Sequence, residues 1–245
     1  MTVSALDVGR HTFTFVMSGG ADPVLIVTVV DSALEVEEAP ALDTIPRPAI
    51  QPIPMPFTDV EPLTWYYPHV RTVWEHQLFF GTAPDLFSPE MPMTRAMFAQ
   101  VLANMEDVEL SLYSDSRFDD VVVGAWYASG VEWAASVGII SGYGDNTFGP
   151  GDNISREQMA AMLANYIRFK GYSLPSMQAT AFSDEENLSS WARESVRVVQ
   201  GLGIISGYPD GSFVPQATAT RAEVATIFAR FMAVSDMSMG NSYTT

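Results

Sequence analysis

The sequence predicts a mainly α fold. Three helix-loop-helix repeats stand in a pseudo-threefold arrangement around a central three-helix bundle, preceded by a short β-hairpin. Three observations carry this. A set of residues recurs at nearly fixed spacing over most of the 245-residue chain. Each recurrence contains a stretch with apolar residues at i, i+3, i+4 and i+7, the stripe of a half-buried helix. The first part of the chain instead alternates as strands do, and a proline-rich run follows it.

In chain order, HTFTFVM alternates Phe13 and Phe15 with Thr12 and Thr14. SGGADP is a turn signal, and VLIVTVV, Val24 to Val30, is β-branched. Together they predict a hairpin within 1–36. An isolated hairpin is marginal in water, which leaves two readings: the end of an Ig-like sandwich, or a hairpin docked on the rest of the chain. EEAPALDTIPRPAIQPIPMP holds six prolines and reads as an extended linker over 37–55. At the other end, residues 235–245 read as a flexible tail.

Between linker and tail lies the repeat. Phe57-Thr-Asp59, Phe118-Asp-Asp120 and Phe182-Ser-Asp184 open three units, expected at 56–112, 113–177 and 178–234. Trp65, Trp126 and Trp191 follow, then Gly81, Gly142 and Gly207, then Phe87, Phe148 and Phe213. Pro89, Pro150 and Pro215 come next, and then Arg95, Arg156 and Arg221. The Phe-x-Asp set steps by 61 residues and then by 64, and each of the later sets steps by 61 and then by 65. Every unit reads as a turn, a first helix such as GAWYASGVEWAASVGI, a loop and a second helix. The second-helix stripes are Phe98, Val101, Leu102, Met105; Met159, Met162, Leu163, Tyr166; and Val224, Ile227, Phe228, Phe231. Three such stripes are most economically buried against one another.

Composition removes several function classes. The formal charge is −17, from 29 acidic and 12 basic residues. That argues against nucleic acid, whose phosphates draw on clustered cations, and against anionic lipid surfaces. The absence of cysteine excludes disulfides, thiolate metal sites and Cys nucleophiles. No run approaches the length of a membrane span. The opening MTVSALDVGRHTFTF lacks the layout of a signal peptide, so an exported form is expected to have lost its signal or to belong to a longer chain. His11, His69 and His76 form no repeated set. Asp145-Asn-Thr and Asp210-Gly-Ser lack the ligand ladder of a calcium loop and read as turn chemistry. Asp119/Asp120 and Asp184/Glu185/Glu186 read as helix-start carboxylates rather than a glycosidase pair, and no serine sits in a nucleophile elbow. No catalytic residue, metal or cofactor is expected, and the chain reads as a non-enzyme.

At FTDV, FDDV and FSDE, at GIISGYGDNTFGP and GIISGYPDGSFVP, and at MTRAMFAQVL, ISREQMAAML and ATRAEVATIF, the chain resembles the S-layer homology domain. That domain usually occurs as a triplet, and the resemblance covers about residues 56–233. It implies non-covalent anchoring of a surface protein to the bacterial cell wall, and an extracellular location in the wall or S-layer. The implied ligand is an anionic secondary cell-wall polysaccharide carrying pyruvate ketals, bound in grooves between repeats. Self-assembly on the surface is within the family's range. Two alternatives stay open: an anchor fragment of a larger surface enzyme or adhesin, and a protein–protein assembly module. Unit one departs from the pattern. FFGTAPDLFSP puts Thr82 where Tyr143 and Tyr208 stand, and Met97 takes the place of Gln158 and Glu223. Its groove is expected to be weakened or altered.

The candidate ligand residues follow. Ser155-Arg-Glu-Gln158 and Thr220-Arg-Ala-Glu223 read as capping boxes, which explains every residue but the arginine. A cation in the first turn faces the positive end of the helix dipole. Either Arg95, Arg156 and Arg221 pair with Asp59, Asp120 and Asp184, or they grip an external carboxylate through the guanidinium fork, helped by helix-end amides. A pyruvate ketal supplies such a carboxylate. On the second reading an Arg→Ala change spares the fold. Trp65, Trp126 and Trp191 read either as core or as sugar-stacking platforms. Tyr143 and Tyr208, after Gly142 and Gly207, read as groove lining.

Overall fold

A computed structural model describes residues 9–14, 24–29, 55–172 and 179–240. The expected linker up to residue 54 and the end of the expected tail, 241–245, lie outside the described residues. Two units separate between Pro54 and Met55. In the first, β1 (Gly9–Thr14) pairs antiparallel with β2 (Val24–Val29), Gly9 opposite Val29 and Thr14 opposite Val24.

The second unit is helical. The first repeat supplies α1 (Tyr67–Glu75) and α2 (Arg95–Met105). The second supplies α3 (Ala128–Ser136) and α4 (Arg156–Lys170). The third supplies α5 (Arg193–Gly201) and α6 (Arg221–Gly240). The apolar stripes of α2, α4 and α6 are buried, with Met105 partly so. They meet as a central bundle: the rings of Phe98 and Phe228 are 5.2 Å apart, and those of Tyr166 and Phe231 are 5.5 Å apart. Helix α4 ends on Gly171, whose φ of 63° is the left-handed conformation glycine adopts without a Cβ clash. Helix α6 continues to Gly240, six residues into the stretch expected as tail.

The short helices lie outside the bundle. Each packs chiefly on the second helix of the preceding repeat: α3 on α2, α5 on α4, and α1 on α6. The last of these pairings closes the three repeats into a ring. Isolated bridges between Thr94 and Asn153, Ser155 and Thr218, and Pro92 and Thr220 follow the same cycle.

Within each repeat, three of the recurring residue sets act on one loop. The Asp59 carboxylate accepts from the amides of Phe87 and Ser88 at 2.8 and 2.7 Å. Asp120 does so for Phe148 and Gly149, and Asp184 for Phe213 and Val214. The phenylalanine two residues before each aspartate packs on the loop phenylalanine, with Phe118–Phe148 at 5.4 Å and Phe182–Phe213 at 5.0 Å. The repeated glycine is sterically required. A Cβ on Gly142 would lie 2.4 Å from the Thr147 carbonyl oxygen and 2.6 Å from the Phe118 ring.

Candidate ligand grooves between the repeats

The site begins at the N-termini of the bundle helices. The first two amides of α2, those of Arg95 and Ala96, donate to the carbonyls of Asp152 and Pro150 in the next repeat. Those of α4 donate to Ala217 and Pro215, and those of α6 to Met91 and Pro89. The third amide is capped by the hydroxyl of Thr94, Ser155 or Thr220. The reciprocal capping-box bond forms at Gln158 and Glu223, and Met97 has no polar atom to make it. The recurring prolines thus present acceptors to a neighbouring helix. They also correct an expectation: the three leading amides of each bundle helix are engaged, so none is left for an anion.

The arginine side chains cross the same seam. Arg95 Nε donates to the Phe148 carbonyl at 2.8 Å and Nη2 to that of Ser141 at 3.1 Å. Arg156 donates to Phe213 and Ser206, both at 2.8 Å. Arg221 donates to Phe87 at 2.8 Å and Phe80 at 2.7 Å, joining the third repeat to the first. The three residues are 3%, 7% and 5% exposed. The expected Arg–Asp ion pairs do not form, because the aspartates spend both oxygens on loop amides. These bonds lead us to expect a stability cost for Arg→Ala, which would strip two carbonyls at a buried seam of charged donors.

Each guanidinium lies over loop aromatics. Arg95 is 4.6 Å from the Tyr143 centroid and 4.5 Å from that of Phe148. Arg156 is 4.8 Å from both Tyr208 and Phe213. Arg221 has Phe87 at 4.7 Å and Phe79 at 5.7 Å, with no ring on Thr82. Such stacking suits the weakly hydrated guanidinium plane. Burial lowers all three pKa values. At Arg95 it is opposed by Tyr143, Asp152 and Asp120, and at Arg156 by Tyr208, Glu223 and Asp184. Arg221 has Asp59 alone against it and falls to about 10. All stay cationic at neutral pH. Two of the five N–H donors on each guanidinium are used on these carbonyls, and Nη1 makes neither bond.

Two grooves open over these cations. Groove I, about 460 Å³, is lined by Arg95, by Ser141, Gly142 and Tyr143, by Gln158, and by Trp191. Groove II, about 630 Å³, is lined by Arg221, by Phe80, Gly81 and Thr82, by Met97, and by Trp126. Each draws on all three repeats: the arginine from one, the loop and bundle helix from the next, the tryptophan from the third. The same cycle sets Arg156 against Tyr208 and Glu223, with α1, just after Trp65, packed on α6. The tryptophans are 60%, 63% and 56% exposed for Trp65, Trp126 and Trp191. The core-packing alternative therefore fails. Tyr143 and Tyr208 are exposed as well, and the Tyr143 hydroxyl donates to Asp152 at 2.8 Å. Gly142 and Gly207 contribute backbone only, and Asp59, Asp120 and Asp184 hold the loops from behind.

One family accounts for this repeated architecture. The sequence matches the family model of the S-layer homology domain at residues 56–99, 117–160 and 181–225, one match per repeat. The chain belongs to the S-layer homology domain family. S-layer homology domains are non-catalytic modules that anchor surface proteins to the cell wall, which places this triplet in the bacterial cell wall or S-layer. It is 34% identical to an amylopullulanase of Thermoanaerobacterium thermosulfurigenes over 70% of this chain and 9% of that protein. It is 29% identical to a cellulosome-anchoring protein of Acetivibrio thermocellus over 64% of this chain and 36% of that protein. It is also 29% identical to the S-layer protein sap of Bacillus anthracis, over 75% and 22%. The triplet thus spans about a third or less of the length of these relatives. Among the described residues, no helix is long and apolar enough to cross a membrane.

Sequence reasoning about the triplet missed several groove residues. Met91 and Met93 line groove II, and Asn165 and Ser195 line groove I. It also missed Glu157, a buried carboxylate that accepts from the Ser189 amide, the Ser189 hydroxyl and Gln216 Nε2. Glu157 thereby ties α4 to the turn that carries Trp191. The missing signal is the cross-repeat order, which a linear repeat does not reveal. Asp145 and Asp210 each accept from an amide and a hydroxyl two residues on, the turn chemistry expected of them.

Proposed function

We propose that this triplet holds its protein on the wall by binding an anionic, pyruvylated secondary cell-wall polysaccharide in the inter-repeat grooves, without catalysis of its own. One observation supports the reading most: at the base of each groove a buried guanidinium spends only two of its five N–H donors on protein carbonyls, beside exposed aromatic walls. The free donors suit a carboxylate, and the indoles suit a sugar face. Gly142 and Gly207 let the loops close, and Asp59, Asp120 and Asp184 fix them.

Sedimentation with purified walls tests this. The side chains to change are those the fold does not need. Trp191→Ala and Tyr143→Ala should keep the melting temperature within a few degrees and weaken wall binding by about 1–2 kcal/mol, roughly five- to thirtyfold. Walls stripped of pyruvate should bind poorly. Unchanged sedimentation on depyruvylated walls would sink the carboxylate mechanism. A second reading makes the triplet the anchor of a larger surface enzyme or adhesin. It is favoured by the enzyme relatives, of which an amylopullulanase and an exoglucanase are matched over only 9% and 16% of their lengths. An antibody to the triplet, applied to wall extracts, should then mark a band far heavier than 26.8 kDa; a band at that mass would exclude this reading.

A further inference from the structure

The grooves are unlike in chemistry, and the differences sit at corresponding positions. Groove I carries Tyr143 and Gln158, with Asp152 bonded to the Tyr143 hydroxyl. One repeat earlier, those three positions hold Thr82, Met97 and Met91, all lining groove II. Three polar groups have become two thioethers and a hydroxyl, and that hydroxyl is already bonded to Ser88 Oγ at 2.6 Å. Much of the rest of the groove II lining is apolar or already paired, although Gln100 Oε1 is buried without a partner. Gln100 Nε2 donates to Asn104, and Asn104 Nδ2 donates to the Leu78 carbonyl. Leu78, Met93 and Val101 are apolar. A polyhydroxylated sugar seated there would leave hydroxyls unpaired, which is costly. Thioethers are only weak acceptors and donate nothing. Met side chains do adapt readily to varied apolar shapes.

The charge remains. Arg221 lines this groove, and no acidic residue does. Among the described residues it makes no ion pair. Two of its donors are spent on carbonyls, and three N–H groups are left without an assigned acceptor. The volume lies within the range of small-molecule sites. We propose that groove II is a ligand site distinct from groove I, selective for a monocarboxylate carried on an apolar body, with Thr82, Met91 and Met97 setting that preference. This rests on reading the inter-repeat grooves as carboxylate sites. It assigns groove II a hydrocarbon-bearing ligand instead of a polyol.

Isothermal titration calorimetry of the whole chain with acetate, butyrate and hexanoate, and with hexanamide as the uncharged control, tests it. Affinity should rise roughly three- to fourfold per added methylene, and hexanamide should bind at least tenfold more weakly than hexanoate. The double variant Thr82→Tyr/Met97→Gln should flatten the dependence on chain length while keeping its helical circular dichroism. Trp126→Ala, on an exposed side chain, serves as a second probe and should weaken hexanoate in particular. Hexanoate binding no better than acetate, hexanamide binding equally well, or a chain-length dependence that survives both variants would each overturn the proposal. No wall material enters this titration. A failure here and a failure of the polysaccharide reading in wall sedimentation are therefore separate results.

Discussion

Val214 holds a φ of 52°, at the place where the first two repeats put Ser88 and Gly149 with φ of 58° and 71°. The left-handed conformation is needed there so that the amide can face the Asp184 carboxylate. A β-branched side chain pays for it through the clash of Cβ with its own backbone, about 1–2 kcal/mol. Val214 is also exposed, so its burial repays little. Val214→Gly should therefore raise the melting temperature by several degrees, corresponding to about 1 kcal/mol once the greater chain entropy of glycine is deducted. An unchanged or lower melting point would show that the valine makes a compensating contact. At this scale much was legible. Phe-x-Asp, the glycine and the loop phenylalanine recur because they contact each other inside one repeat. The roles of Gly142 and Gly207 were not legible, because a close carbonyl looks no different in sequence from a ligand that needs room.

At the scale of the element, the helix starts show what local rules capture. Ser155 and Thr220 were predicted from the capping box, and the structure has both. Helix α6 runs past residue 235, where the tail is expected to start. Ser-Asp-Met-Ser-Met-Gly has no proline and no glycine before Gly240, so nothing in it stops a helix already under way. The arginine at the first helical position obeys no local rule, because its acceptors are backbone carbonyls in another repeat and a carbonyl carries no residue identity. This fixes the ranking of three substitutions on α4. Ser155→Ala should cost about 1 kcal/mol, the usual worth of a cap. Arg156→Ala should cost about 3 kcal/mol or more, from two charge-assisted bonds lost at a buried seam. Arg156→Lys should fall between them, since an ammonium cannot span both the Phe213 and Ser206 carbonyls as the planar fork does. Urea titration of the three variants measures the order, and a cap variant less stable than Arg156→Ala would overturn it.

For the whole molecule, the first two amides of every bundle helix and the arginine beside them find their acceptors in a neighbouring repeat. A repeat is therefore a unit of sequence without being a unit of folding. A peptide of residues 113–177 should show no cooperative thermal transition by circular dichroism. The full chain should unfold its helical part in one step. A separated repeat that melts cooperatively would contradict the cyclic account. The apolar stripes of the second helices predict the pseudo-threefold bundle that the structure has, but the offsets of 61 and 65 residues alone describe equally well a linear stack and do not say that α1 packs on α6 to join the first repeat to the third.

Closing the ring changes how such a body bears load. In an open stack, tension on one end peels off the terminal repeat by breaking a single interface, and the next repeat is then exposed in turn. Here the first repeat is bonded to the second through Arg95 and to the third through Arg221. A pull transmitted through residue 55 therefore strains two seams at once, and neither can yield while the other holds. Resistance of this kind adds in parallel, so the force needed for detachment is set by the sum of the seams rather than by the weakest. On this account, removing Arg95 or Arg221 is expected to lower the force at which the first repeat separates.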